Sequence, residues 1–202
     1  MRIASGLLRV LLLGLALGSW TVGPAGCAPR WQVCDDVSEA RLAALPPRLS
    51  QTGLYADTAA DLLAEGVLPY RPRFELWSDG ASKRRWLKLP PGAQIDSADM
   101  DAWIFPPGTQ LWKEFTRDGV RVETRLLHKL GPTEDDWVGV AYLWARDQHD
   151  AYARPFGVVD AHSTGHDVPA ASECPACHAG SRSRILGVSA VQLGEENGAP
   201  LT

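Results

Sequence analysis

Gln110-Leu111-Trp112-Lys113-Glu114-Phe115-Thr116-Arg117-Asp118-Gly119-Val120-Arg121-Val122-Glu123-Thr124-Arg125-Leu126-Leu127 carries the strongest strand signal in the chain. Asp118-Gly119 sits between two alternating runs. A two-residue hairpin loop needs positive φ at both central positions, and Asp-Gly meets that need at little steric cost. After the turn, alternation puts Val120, Val122, Thr124 and Leu126 on one face and Arg121, Glu123 and Arg125 on the other. Before it, Lys113 shares the apolar face with Leu111 and Phe115.

The same period of two predicts further strands over Phe74–Trp77, Arg84–Leu89 and Trp137–Ala145. The last is apolar on both faces, which suits a strand inside a sheet. Turn signals separate the runs: Ser78-Asp79-Gly80, Pro90-Pro91-Gly92, Pro106-Pro107-Gly108 and Gly131-Pro132. Two short helices are expected earlier. One covers Asp36–Leu45 and stops at Pro46-Pro47; the other covers Thr58–Gly66, with Thr58 as N-cap and Gly66 as stop. The expected fold class is mainly β: an antiparallel sheet or sandwich with short N-terminal helices and a loop-rich C-terminal segment. The expected division is a leader over residues 1–26, a helical lead-in over 27–70, and the β-rich domain over 71–202. Residues 160–202 are rich in Gly, Ser, Ala and Pro and show little core-forming pattern.

Residues 1–26 read as an export signal. Arg2 and Arg9 precede the apolar run Leu11–Leu17, and small residues follow at Ala25-Gly26. The run is shorter than the roughly 20 apolar residues of a membrane span. Cys27 after Ala25-Gly26 resembles a lipoprotein cleavage site, although Pro24 stands where that pattern wants Leu. Lipidation of Cys27 would anchor the chain and leave Cys34 a free thiol. Cleavage after Ala28 would remove Cys27, and earlier cleavage without lipid would permit a Cys27–Cys34 disulfide. Every case leads outside the cytoplasm, to the periplasm or cell envelope. The full chain carries a net charge of −4 and loses two arginines with the signal. No basic stripe offers a nucleic-acid surface.

The chemistry lies in Cys174-Pro175-Ala176-Cys177-His178, a C-x-x-C-H motif. Two thiols three positions apart each suit a thioether to a haem vinyl group, and the adjoining imidazole suits the iron on the same side. The motif therefore points to one covalent haem c held by Cys174 and Cys177, with His178 as axial iron ligand. A zinc site would need four protein ligands, and no second C-x-x-C exists. A thioredoxin-like pair would give His178 no role and would be expected beside a βαβ pattern.

For the sixth position the candidates are Met100, the only methionine besides Met1, and His166, eight residues before Cys174. Met100 also reads as an exposed loop residue and His166 as a turn histidine. His128 and His149 flank strands among charged neighbours and read as solvated; His162 is the remaining histidine. An open sixth position would point to ligand binding instead. Lys113 reads as a snorkelling strand lysine, or as an amine near the haem edge that pairs with a propionate or modifies the ring. Glu123 and Arg125 read as a cross-strand ion pair. The tryptophans read as core and sheet-face packing, with one or two available to line a haem.

Further blocks of the chain resemble a known family. They are Leu49–Tyr55, Tyr70, Leu76-Trp77-Ser78-Asp79-Gly80-Ala81 with Lys83 and Arg85, and Leu89-Pro90. Asp99-Met100-Asp101, Trp103, Phe105-Pro106-Pro107-Gly108-Thr109, Lys113-Glu114-Phe115 and Glu123–Leu127 follow. Trp144, His166-Asp167-Val168-Pro169, Cys174–His178, Ile185-Leu186-Gly187 and Gln192-Leu193 complete the pattern. Over about residues 49–193 the chain resembles a family of uncharacterised, exported, cytochrome c-like bacterial proteins. The resemblance implies haem binding and electron transfer with redox partners in the envelope, and supplies no substrate. Longer members carry a further C-x-x-C-H beyond the Gln-Leu, which implies a short form or a truncated reading frame here. A more distant likeness, of fold only, is to the β-type cytochrome c′ group, through Phe105–Thr109, Lys113-Glu114 and Cys174–His178. It implies, as the alternative, a haem enzyme or gas-binding protein with an open sixth site. A third reading is a non-haem β module that binds a partner.

Overall fold

A computed structural model describes residues 39–78 and 80–194. The expected export signal, Cys27 and Cys34 lie outside the described residues. In chain order the elements are α1 (Glu39–Ala43), β1 (Tyr55–Asp57), β2 (Leu62–Leu63), β3 (Leu68–Pro69), β4 (Ser82–Lys88), β5 (Gln110–Arg117), β6 (Val120–Lys129), β7 (Trp137–Trp144), β8 (Ala151–Ala153), β9 (Phe156–Val158), β10 (Val168–Ala170), α2 (Cys174–His178) and α3 (Ala190–Leu193). Strands β3-β4-β5-β6-β7-β8 form one antiparallel sheet in chain order, while β1 pairs with β2 and β9 with β10. The fold is mainly β and antiparallel, as the alternating runs require. No described helix is long and apolar enough to cross a membrane.

The decisive hairpin forms at Asp118-Gly119, where φ is +49° and +79° and Arg117 pairs with Val120. The register shifts between Phe115 and Thr116: Phe115 faces Glu123 while Thr116 faces Arg121. Val122 is the extra residue of a bulge, and a bulge resets which face a side chain takes. Thr124 and Leu126 therefore face one side, and Val122 packs on the other with Ala141, Ala161 and Val168. The four-residue face expected for Val120–Leu126 is broken at that point.

One sheet face carries Trp86, Trp112, Leu126, Val140, Tyr142 and Trp144, covered by Leu49, Leu54 and Tyr55. The buried indoles are satisfied: Trp112 Nε1 donates to Thr52 Oγ1 (3.2 Å) and Trp144 Nε1 to Thr124 Oγ1 (3.0 Å). The opposite face packs Phe105, Leu111, Ile185 and Val188, beside the smaller Val122 cluster. The C-terminal segment therefore does supply core, through Ala161, Val168, Ile185 and Val188.

Two expected elements are absent. Residues 74–77 form no strand. The amides of Arg73 and Phe74 donate to the Gln192 carbonyl (2.7 Å) and side chain (3.0 Å) instead of to a neighbouring strand. The Thr58–Gly66 helix is replaced by a turn and β2. Asp57 Oδ1 accepts from Ala60 N (3.0 Å), and Asp61 turns left-handed (φ +55°) to meet Arg84 and Arg121. Those ion pairs and the β1–β2 pairing override a weak helical preference. Strands β1–β3 accordingly fall inside the segment expected to be helical.

Candidate functional site

Rows of side chains cross the second sheet face in register. Leu87, Leu111, Leu127 and Gly139 form one row from β4 to β7; Arg85, Lys113, Arg125 and Ala141 form the next. Above these rows lies a cavity of about 380 Å³, within the range of small-molecule and cofactor sites. Its apolar walls come from Leu111, Leu127, Ile185, Leu186, Phe74 and Leu76, and the C-x-x-C-H turn closes one side.

The motif is one helical turn. Ala171–Glu173 leads into it, Glu173 Oε2 accepts from Ala170 N (2.6 Å), and Pro175 occupies the first turn, where its missing N–H costs nothing. Cys174 is half-buried and Cys177 exposed, and both thiols are free. Cys174 lies against Gly139: a Cβ there would stand 3.1 Å from Cys174 Sγ and 3.0 Å from Leu127 Cδ2. Burial pushes the Cys174 thiol pKa up, with Glu123 and Glu173 adding to it against Arg125. That is the reverse of the lowered thiol a redox-active pair uses. Gly139→Ala is expected to displace the Cys174 turn and cost about 1–3 kcal/mol. Thermal melts check this; an unchanged melting temperature would mean that the turn is not seated on β7.

His178 Nδ1 donates to the Arg184 carbonyl at 2.8 Å, and no described residue bonds Nε2. Arg184 holds that carbonyl from a left-handed backbone (φ +59°). Its guanidinium donates to Ala179 O (2.6 Å) and to Asp135 Oδ1 (2.8 Å). Burial lowers the imidazole pKa, reinforced by Lys113 and Arg125 and opposed by the Arg184 hydrogen bond. A neutral ring with Nδ1–H tied to a carbonyl leaves the Nε2 lone pair free, the arrangement metal-ligating histidines adopt.

Lys113 lines this cavity instead of snorkelling outward. Burial, then the charges of Arg85, Arg125 and Lys83, lower its pKa to about 8, against only Glu123. Its ordinary value is about 10.4. Between about pH 8 and 10.4 the unfolded chain binds this proton and the folded chain does not, so folding stability rises with pH across that window. In protein made without haem attachment, wild type is expected to gain melting temperature on Lys113→Met from pH 8 to pH 10. A constant difference would contradict the burial of this amine.

The structure brings Cys174, Cys177, His178 and Lys113 together and leaves the sixth-ligand candidates apart. Met100 is 67% exposed and lines no part of the cavity. His166 is buried, but its Nε2 bonds Glu123 Oε1 (2.7 Å) and its ring packs on Phe115. Glu123 and Arg125 pair along β6 (2.5 Å) instead of across strands. His162 Nε2 bonds the Trp144 carbonyl (2.7 Å). His149 is exposed, whereas His128 is half-buried with Nδ1 unpaired, and burial lowers its pKa. Of the tryptophans, Trp112 borders the cavity through β5 while its indole packs on the opposite sheet face, and Trp77 is exposed. The sequence named Arg85 only within the block that carries the resemblance and gave Gly139 and Arg184 no role, because their roles follow from register and backbone conformation.

Among the described residues no three His, Cys, Asp or Glu side chains are grouped to hold a metal ion. A haem brings four ring nitrogens of its own, so one imidazole beside two thiols above an apolar cavity fits it. No family model, curated protein or solved structure matches the chain.

Proposed function

We propose that the chain is an exported bacterial c-type haem protein of the periplasm or cell envelope that carries electrons between partner proteins. The observation that supports this most directly is His178, held by Arg184 with Nε2 unbonded, on the C-x-x-C-H turn above the apolar cavity. Bound there, the haem would supply one-electron chemistry at its iron. The chain does the rest. Cys174 and Cys177 hold the ring, and His178 ligates the iron. The Arg184 carbonyl fixes the imidazole and raises its basicity. Leu111, Leu127, Ile185 and Leu186 exclude water, which is a lever on potential. The resemblance to exported cytochrome c-like proteins, and the anchor Cys27 would provide, belong to the same reading. Full-length chain co-expressed with a cytochrome c maturation system should gain the intact mass of one haem. A mature protein of unmodified mass, with two titratable thiols at Cys174 and Cys177, would refute it.

A specific observation favours a second reading of the same site. Among the described residues, no methionine and no histidine other than His178 lines the cavity. With the sixth position unfilled by either, the protein would bind small ligands such as CO or NO. Adding CO to the reduced holoprotein should then shift the Soret band at once. An unresponsive, low-spin six-coordinate spectrum would leave electron transfer as the sole reading.

A further inference from the structure

We infer that Arg85, Lys113 and Arg125 form a subsite for two carboxylate groups carried by the cavity's ligand, with Lys113 as the central contact. The inference rests on the haem reading, since a haem presents two propionates at one edge of an apolar ring.

The starting point is register. Arg85 stands directly opposite Lys113, and Lys113 directly opposite Arg125, so three cations lie abreast on adjoining strands, and all three line the cavity. Like charges directly opposed across strands destabilise a sheet. A buried cation is tolerated where something supplies its counter-charge.

The protein's own carboxylates meet only part of that need. Glu75 lies 3.7 Å from Arg85 but also serves Lys83 (3.6 Å) and the exposed Arg71 (3.1 Å). Glu123 pairs with Arg125 and accepts His166 as well. Lys113 has neither hydrogen bond nor ion pair among the described residues; its close contact is the Phe115 ring, 4.8 Å from Nζ. On this face Lys83, Arg85, Lys113 and Arg125 stand against Glu75 and Glu123. Glu173, beside the C-x-x-C-H turn, also lines the cavity, so the four cations outnumber the three carboxylates by one, and the side chains of Lys83 and Arg85 are only 7% and 6% exposed. Burial first, and then these neighbouring cations, lower the basicity of Lys113.

The placement also gives the ligand a direction. Cys174 rests on Gly139 and Leu127, in the apolar row. The cationic row is one pleat repeat along the strands, about 7 Å away. A ligand spanning both rows has an apolar edge toward the thiols and an acidic edge toward Lys113. A fatty acid would bring one carboxylate to a row of three cations; a dicarboxylate with an apolar body brings two.

The test uses the matured full-length holoprotein, with Lys113→Met, Lys113→Arg and, as control, Arg182→Met, whose side chain is 75% exposed and faces Asp99. A cation beside the site favours the reduced state, so its removal lowers the midpoint potential. Lys113→Met should shift the oxidised/reduced equilibrium at least tenfold, about 59 mV for one electron. Lys113→Arg should restore most of it, and Arg182→Met should match wild type. Haem attached normally with Lys113→Met equal to Arg182→Met would overturn the subsite and leave the haem reading standing. Wild type that gains no haem would overturn both. If Lys113→Met does not accumulate, redox-difference infrared spectra of wild type with carboxylate-labelled haem decide the matter. Bands displaced from the solvated carboxylate position support the subsite, and bands at that position overturn it.

Discussion

Cys174→Ser combined with Cys177→Ser is expected to abolish covalent haem. The haem-stained band on a denaturing gel should vanish, and the purified protein should be colourless or hold haem only loosely. The two thiols are the only described cysteines, and they stand on a turn that lines the cavity. Stability should fall as well. Without a covalent occupant, the cavity wall at Leu111 and Leu127 loses its packing against the ring, and Lys113 gains no carboxylate partner. A loss of about 2–3 kcal/mol corresponds to roughly 5–10 °C in melting temperature for a chain of this size. If the double variant folds and melts like wild type, the cavity is not a cofactor site, and the non-haem module becomes the better account of the sheet.

His178→Ala should have the second-largest effect, and it acts first on the iron. In protein that still acquires haem, the iron should be five-coordinate or water-ligated, with an altered Soret band. The midpoint potential should move too, because axial-ligand identity spans about 0.8 V across haem proteins. Attachment should also be less efficient, since maturation reads the motif histidine. Met100→Leu and His149→Ala should leave the spectrum unchanged, as both side chains are exposed and outside the cavity. A parental spectrum and potential in His178→Ala would mean that the motif has been misread.

The decisive hairpin was legible because its signals are local: Asp118-Gly119 supplies both positive φ values, and alternation declares the strands around it. The bulge at Val122 was not, because an extra residue in a ladder is defined by the partner strand. The Phe74–Trp77 strand failed for a related reason. Its residues suit a strand, but Gln192, more than a hundred positions away, takes the amides of Phe74 and of Arg73 before it. At the site, Cys174, Cys177 and His178 were legible from spacing, and the placement of Lys113 beside Leu111 and Phe115 followed from period two. The Arg85–Lys113–Arg125 row required the register of three strands. Arg184 required a left-handed backbone that arginine rarely adopts. Met100 and His166 were chosen by residue type, and residue type carries no information on whether a side chain reaches a cavity.

The central claim is a single haem joined to this chain through Cys174 and Cys177. The most direct test is the pyridine haemochrome spectrum of the purified, acid-acetone-extracted protein. The account predicts that colour stays with the polypeptide after extraction and that the reduced α-band sits at the blue-shifted position of a haem with both vinyl groups saturated as thioethers. Colour lost to the acetone phase, or no haemochrome at all from full-length protein made with the maturation system, would contradict it.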